Sequence, residues 1–378
     1  GWVEHDAQEI YDVTMRVVKE CLDNKGIAPG DIAGIGITNQ RETTVFWNKK
    51  TGKVLCPSIV WQDCRTADRC MEIVEKLGDE IYARQGCLSV TNMTGPKIEW
   101  ILKNNEEVRK GVEEGNVLFG WIDTWLIWKM SGGAAHIVDY TSAAATLMFD
   151  LFTMDYDEKM LKELGIPRSI LPKPVRTGSC IVETDPKEFF GLTVPIGASA
   201  GDQNSATFAQ ACIEPGMMKN TYGTGSFMLL NTGDKKITAK ECGLFVEPFN
   251  NINGDLKFCL EGYANVSGSA IQWLRDGLGI VANAAEADKL ANSVPDSGGV
   301  YFVPAFAGLT SGNDPYARGT IIGITRGTTK AHICRAAVET MAYQMADAFE
   351  SMVQVSGVPI KMLRADGGGA KNDLLCQF

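Results

Sequence analysis

The sequence predicts an α/β protein of two large domains. Three observations lead there: a length of 378 residues, an apolar content of 45% combined with 40 glycines, and a succession of short apolar runs that end in polar or glycine-rich clusters and lead into helices. A chain this long exceeds the size at which one core keeps growing. Its apolar fraction can fill two cores, and its glycines carry no collagen-like period. The boundary is expected near residue 196, dividing an N-terminal domain (1–196) from a C-terminal one (197–378).

In chain order, Asp6 and Glu9 form a capping-box signature ahead of Ile10, Val13, Val17 and Cys21, so a helix is expected up to Lys25-Gly26. Ile32, Ile35 and Ile37 read as a strand that ends in Thr38-Asn39-Gln40-Arg41-Glu42, and Thr43 to Trp47 reads as another. Helices are expected over Ala67 to Leu77, from Lys97 after Pro96, and over Trp121 to Met130, although that last stretch fits a buried strand equally well. Gly165 to Pro172 reads as a loop. Thr193 to Ile196 reads as a strand entering Gly197-Ala198-Ser199-Ala200-Gly201-Asp202-Gln203, with a helix from Ser205 to Ile213. Further on, Met218 to Thr224 and Ser226 to Asn231 are strands around a glycine turn, and Phe258 to Glu261 leads to a helix at Ala270 to Asp276. Tyr301 to Phe306 is a strand, Ile333 to Val355 a long helix, Ile360 to Ala365 a strand into Asp366-Gly367-Gly368-Gly369, and a last helix starts near Asn372.

Lys plus Arg number 36 against 46 acidic residues, a net charge of −10, which argues against nucleic acid as a partner. Eleven scattered cysteines, with no CxxC pair, read as reduced thiols of a cytoplasmic protein, and zinc is not expected. No apolar run is long enough to span a membrane, and GWVEHDAQEI does not begin like a secretory signal. His5, His136 and His332 are isolated and read as structural or solvated.

Gly197 to Asp202, Tyr222-Gly223-Thr224-Gly225 and Asp366 to Gly369 each lie near a strand end. Glycine lets successive N–H groups approach an anion, so these are either plain tight turns or phosphate-binding loops; none is a Walker A or a GxGxxG motif. Asp202 can be a helix N-cap or a base that takes the proton of an attacking hydroxyl. Arg41 and Glu42 can be a solvated pair or a grip on vicinal hydroxyls, the guanidinium donating and the carboxylate accepting. Trp61, Trp121, Trp125 and Trp128 read as packing elements, and apolar residues near them could also line a substrate's carbon face.

Taken together, GIGITNQRETTVFW, VWQDCRT, GWIDTWLIWKM, GDQNSATFAQ, GMMKNTYGTGSFMLLNTG, SGSAIQWLRD, ARGTIIGITRGT and LRADGGGAKND resemble, in order and over the whole chain, the glycerol kinase branch of the FGGY carbohydrate kinases. The resemblance implies an actin-like, ribonuclease-H-like pair of α/β domains with the nucleotide in the cleft between them. It also implies transfer of the γ-phosphoryl group of ATP, with Mg²⁺, to a small polyol such as glycerol, in a cytoplasmic homo-oligomer, either dimer or tetramer. By motif, Asp202 corresponds to the catalytic base and Gln203 to its polyol-binding neighbour. Arg41 and Glu42 match the hydroxyl-gripping pair, and Phe227 an aromatic of that pocket. On the nucleotide side, Thr224 and Gly225 match a phosphate-contacting turn, Gly268 and Gln272 a helix facing the nucleotide, and Gly368, Gly369 and Asn372 the adenosine loop.

The family opens with an Asp-x-Gly-Thr phosphate turn that this chain starts after, so the 378 residues are expected to be a fragment, incomplete as a catalyst at both ends. Asn92-Met93-Thr94 stands where glycerol kinases have Tyr-Phe-Ser, which makes Asn92 the candidate substrate contact there. Tyr140 to Thr146 lacks the family's asparagine and arginine, Thr310-Ser311-Gly312-Asn313 replaces an Ala-Pro-Tyr-Trp run, and Cys64 replaces an arginine. These departures keep open a kinase for a tetritol or pentulose, and a non-catalytic actin-like nucleotide-binding module.

Overall fold

A computed structural model of the chain describes all residues except 88–89, 145, 177, 179–180, 239–242, 251–252, 307, 310–313 and 315. The chain divides into two compact units, one of residues 1–205 with 247–256, the other of residues 206–246 with 257–378. The replaced Thr310 to Asn313 run lies outside the described residues.

In the first unit, the Asp6 side chain accepts the N–H groups of Gln8 and Glu9 and starts the helix Ala7–Lys25, which Gly26 ends in the left-handed region at φ 62°. The strand Ile35–Asn39 pairs in parallel with Pro195–Gly201, whose other neighbour is Val182–Glu183. Val45–Asn48 pairs antiparallel with Val117–Gly120. Ile37, Val45, Trp47, Trp125, Ile127 and Ile196 belong to one buried cluster, in which the Trp125 and Trp128 rings stack 5.8 Å apart. The ambiguous tryptophan stretch is the helix Ile122–Met130, apolar on nearly every side because it is buried on nearly every side. Arg65 pairs with the buried Asp63 and lies 4.0 Å over the Trp2 ring, a packing role for the segment around Trp61.

Several boundaries differ from the sequence expectation. Among them, the helix expected over Ser205 to Ile213 is Asp202–Ala209, and the strand expected over Tyr301 to Phe306 is Tyr301–Val303. Three further differences have a local reason. The helix expected to stop at Leu77 runs from Ala67 to Gln85; Gly78 is tolerated because the buried Ile81 and Tyr82 beyond it outweigh glycine's cost of about 1 kcal/mol. The helix expected from Lys97 starts at Thr94, with Pro96 in the first turn, where its missing N–H has no helical partner to lose. Gly197 to Gly201 is strand rather than loop, and its backbone pairs with Ile35–Asn39 instead of curling around an anion.

The second unit carries a five-stranded sheet in the order Phe245–Asn250, Leu256–Ala264, Ser226–Gly233, Met217–Tyr222, Met362–Asp366. Its first strand begins in this unit and ends in the other. Met217–Tyr222 is antiparallel to Ser226–Gly233 and parallel to Met362–Asp366. The long helix Lys330–Ser356 is opened by a capping box between Thr329 and His332. It buries Ala337, Val338 and Met341 against Ala270, Leu274 and Ala287 of the helices Gly268–Asp276 and Ala284–Ala291. Among the described residues, the nine cysteines form no disulfide, and no helix is long and apolar enough to cross a membrane. Cys180 and Cys242 lie outside those residues.

Candidate active site

Parallel pairing of Ile35–Asn39 with Pro195–Gly201 sets Asn39 opposite Gly201. The residues that follow each strand, Arg41-Glu42 and Asp202-Gln203, therefore emerge at the same sheet end. Arg41 is buried and lies against Gly201, where an added Cβ would stand 2.5 Å from its Cδ. Glycine is needed there so that the guanidinium stem can pass. The Arg41 Nε is 3.8 Å from Asp202 Oδ1, and its Nη1 donates to the buried Glu247, a residue of the same unit that sequence reasoning missed. No local motif marks Glu247; only its burial against a guanidinium reveals it.

Asp202 opens the helix Asp202–Ala209 with its side chain half exposed. Its Oδ1 accepts the Gln203 N–H at 2.9 Å and its Oδ2 the Gln203 side-chain amide at 3.1 Å. Glu42 holds φ 64°, a left-handed conformation costing a residue with a Cβ roughly 1–2 kcal/mol. Thr94 steadies it, its hydroxyl donating to the Glu42 carbonyl at 3.4 Å and accepting the Trp121 indole N–H at 2.9 Å.

Asn92 is buried in the turn before Thr94. Its carbonyl accepts the ammonium of Lys97 at 2.8 Å, and the Trp61 carbonyl accepts the same group at 3.3 Å. Lys97 is wholly buried, and burial pushes its ammonium down to about 8 against the opposing pull of Glu42 and Asp63. Arg41, Glu42, Asn92, Asp202 and Gln203 all belong to the first unit. Phe227 belongs to the second, where its ring stacks on Tyr263 at 5.9 Å.

Within the second unit, Thr224, Gly268, Gln272, Gly368, Gly369 and Asn372 line one cavity of about 320 Å³. Three backbone segments meet there at van der Waals distance. A Cβ on Gly268 would stand 2.6 Å from the Gly223 carbonyl oxygen, and one on Gly225 would stand 2.7 Å from that of Ala264. Gly367, at φ 85°, would put a Cβ 2.3 Å from the Tyr222 carbonyl oxygen. The glycines thus serve close backbone approach at strand ends. The Thr224 carbonyl accepts the N–H groups of Ser267 and Ser269, which ties the hairpin turn to the start of the helix Gly268–Asp276.

Asn372 caps the last helix through Leu375 N and donates to Asp288 Oδ1 at 2.7 Å. Burial raises the Asp288 carboxyl, and the Asn372 bond partly offsets this. Asp288 and Arg275 line the same cavity and were not expected from the sequence, where they read as ordinary charged helix residues. A concave site of this volume, walled by backbone and a few polar groups, suits a nucleoside-sized ligand.

A family model described as the N-terminal domain of the FGGY family of carbohydrate kinases matches residues 1–209, and its C-terminal counterpart matches residues 218–378. The chain is 50% identical to glycerol kinase 2 of Thermotoga maritima and 48% identical to the glycerol kinase of Carboxydothermus hydrogenoformans, covering all of itself and 76% of each relative. Among solved structures it is similar to Plasmodium falciparum glycerol kinase with ADP, at a TM-score of 0.86 and 34% identity over 100% of this chain and 76% of that one. The ligand-bound xylulose kinase of Lactobacillus acidophilus shares the fold at a TM-score of 0.84 and 22% identity, with coverage of 100% and 75%.

Proposed function

The chain belongs to the FGGY family of carbohydrate kinases, and from that premise we propose that it phosphorylates glycerol to glycerol 3-phosphate with ATP. Its two α/β units have the actin-like fold of those kinases. The observation carrying the reading is the junction of Arg41, Glu42, Asp202 and Gln203 at one sheet end.

Arg41 donates to, and Glu42 accepts from, neighbouring hydroxyls of the polyol. Asp202, half exposed, accepts the proton of the terminal hydroxyl as its oxygen bonds to the γ-phosphorus and the bond to ADP breaks. Gln203 holds the Asp202 carboxylate through both of its oxygens. In the second unit, the cavity between Thr224, Gly268, Gln272 and Gly368-Gly369-Asn372 takes the nucleoside, and the Thr224-Gly225 turn lies toward its phosphates. Phe227 is assigned to the polyol's carbon face.

Mg²⁺, when bound, would offset negative charge on the phosphates of the nucleotide. Among the described residues no group of three or more His, Cys, Asp or Glu could hold a metal ion, and no residue is assigned to Mg²⁺. Cytoplasmic location and homo-oligomerisation complete the proposal. A tetritol or pentulose kinase is the second reading, favoured by Asn92 at the tyrosine position.

The test uses the full-length enzyme. Asp202→Asn should keep the helix start but lower kcat by about 10² to 10⁴, with Kd for ATP unchanged. A variant within about threefold of the parent would remove Asp202 as the base. Greater kcat/KM with a pentulose or tetritol than with glycerol would select the second reading.

A further inference from the structure

The segment from Tyr140 to Ala144 forms a short helix directly after the strand Ile137–Asp139. Thr141 is buried within it, and its hydroxyl has two engagements. It donates to Asp139 Oδ2, which also accepts the Thr141 N–H at 2.7 Å. The Thr141 hydroxyl oxygen in turn accepts the Gly201 N–H at 2.8 Å. Because the proton of the hydroxyl is committed to the carboxylate, the oxygen presents its lone pair to Gly201, the residue immediately before Asp202.

The neighbouring Ser142 ties the other strand. Its Oγ accepts the Asn39 side-chain amide at 3.2 Å, and its N–H reaches Asp139 Oδ1 at 3.3 Å. One carboxylate, Asp139, therefore anchors a helical turn that contacts the last residues of both strands bearing the proposed polyol grip and base. All of these groups are buried, so each bond acts in a medium of low dielectric. Ser199 of the same strand adds a bond to Asp123 Oδ2 at 3.1 Å.

We propose that Thr141 is a positioning residue for Asp202: its hydroxyl, oriented by Asp139, holds the Gly201 amide and so sets where the Asp202 carboxylate stands. The inference rests on Asp202 being the base. Gly201 has no side chain to brace against its surroundings, since the Arg41 stem occupies that space. The hydrogen bond from the Gly201 N–H to Thr141 is thus a direct restraint on the peptide entering Asp202. A shift of about 1 Å at a proton acceptor is enough to cost about 10²-fold in rate.

The experiment compares Thr141→Val, Thr141→Ser and Asp202→Asn in the full-length enzyme, measuring kcat and KM for glycerol, Kd for ATP and Tm. Valine keeps the shape and removes the hydroxyl; it should lower kcat about 10- to 100-fold while Kd for ATP stays within about twofold. Serine keeps the hydroxyl and should return kcat to within about threefold of the parent. If valine prevents folding, Thr141→Ala, which only removes atoms, carries the same expectation.

The proposal is overturned if the variant lacking the hydroxyl keeps kcat while Asp202→Asn loses it. It is equally overturned if serine does not rescue, or if ATP affinity falls in step with kcat, since either outcome marks a merely structural threonine. Retained activity in Asp202→Asn would instead remove the base, and with it anything for Thr141 to position.

Discussion

The cluster around Arg41 and the cavity around Gly268 serve one reaction in the proposal yet are built from opposite materials. The first consists of side-chain charge, much of it buried: a guanidinium against Glu247, an ammonium held by two carbonyls, and a left-handed Glu42. The second consists of backbone brought close by glycine, with polar side chains at its rim. A small polyol offers only hydroxyls, which directed donors and acceptors must distinguish, whereas a nucleotide offers a large surface that a shaped wall can hold. Substitutions should therefore act through electrostatics in the first unit and through sterics in the second.

The largest effect is expected at Glu247. Glu247→Ala takes the carboxylate from a guanidinium that is itself buried, and stability should fall by about 3 kcal/mol or more. Urea denaturation followed by tryptophan fluorescence measures it. A loss under about 1 kcal/mol would mean that the charges in this cluster are solvated after all.

Lys97 should make the first unit's stability depend on alkaline pH. The unfolded lysine titrates at its ordinary value near 10.5 and the folded one near 8, so between these values the unfolded chain holds the extra proton. Stability from this group accordingly rises with pH across that window. The stability of the parent relative to Lys97→Met should increase by on the order of 2 kcal/mol from about pH 7.5 to 9.5. A flat difference would show that Lys97 stays charged in the fold, sustained by Glu42 and Asp63.

The glycines provide a matched pair. Gly201→Ala pushes on the Arg41 stem and should raise KM for glycerol about 10-fold with ATP affinity unchanged. Gly268→Ala pushes on the Gly223 carbonyl and should weaken ATP about 10-fold with glycerol KM unchanged. Crossed effects, measured by steady-state kinetics and nucleotide titration, would break the division of labour. The smallest change is expected from Asn92→Tyr, which adds a phenol hydroxyl worth about 1 kcal/mol and should lower KM for glycerol a few-fold. An unchanged or higher KM would indicate a pocket shaped for a different polyol.

Legibility in the sequence divided along the same line. Asp6 and Gly26 bound a helix by local hydrogen bonding and a local φ, so that helix could be read from its caps alone. Gly197 to Gly201 could not, because whether a glycine-rich run pairs or curls depends on a partner strand some 160 residues away in sequence. Six of the seven residues assigned to the nucleotide on resemblance line one cavity, yet Asp288 and Arg275 line it too and carried no signal. The Asp288 side chain looks like that of any solvated helix face until Asn372 donates to it.

By itself, the sequence determined the α/β class, most element types and the strand-end placement of Arg41 and Glu42, because these follow from periodicity, capping and turn chemistry within a few residues. Only the tertiary structure decided that Glu247 meets Arg41, that Lys97 is buried beside Glu42, and that Thr141 holds the peptide before Asp202. Burial is the reason. A charge or hydroxyl acquires its partner and its low dielectric from residues distant in sequence, and no local pattern encodes which ones arrive.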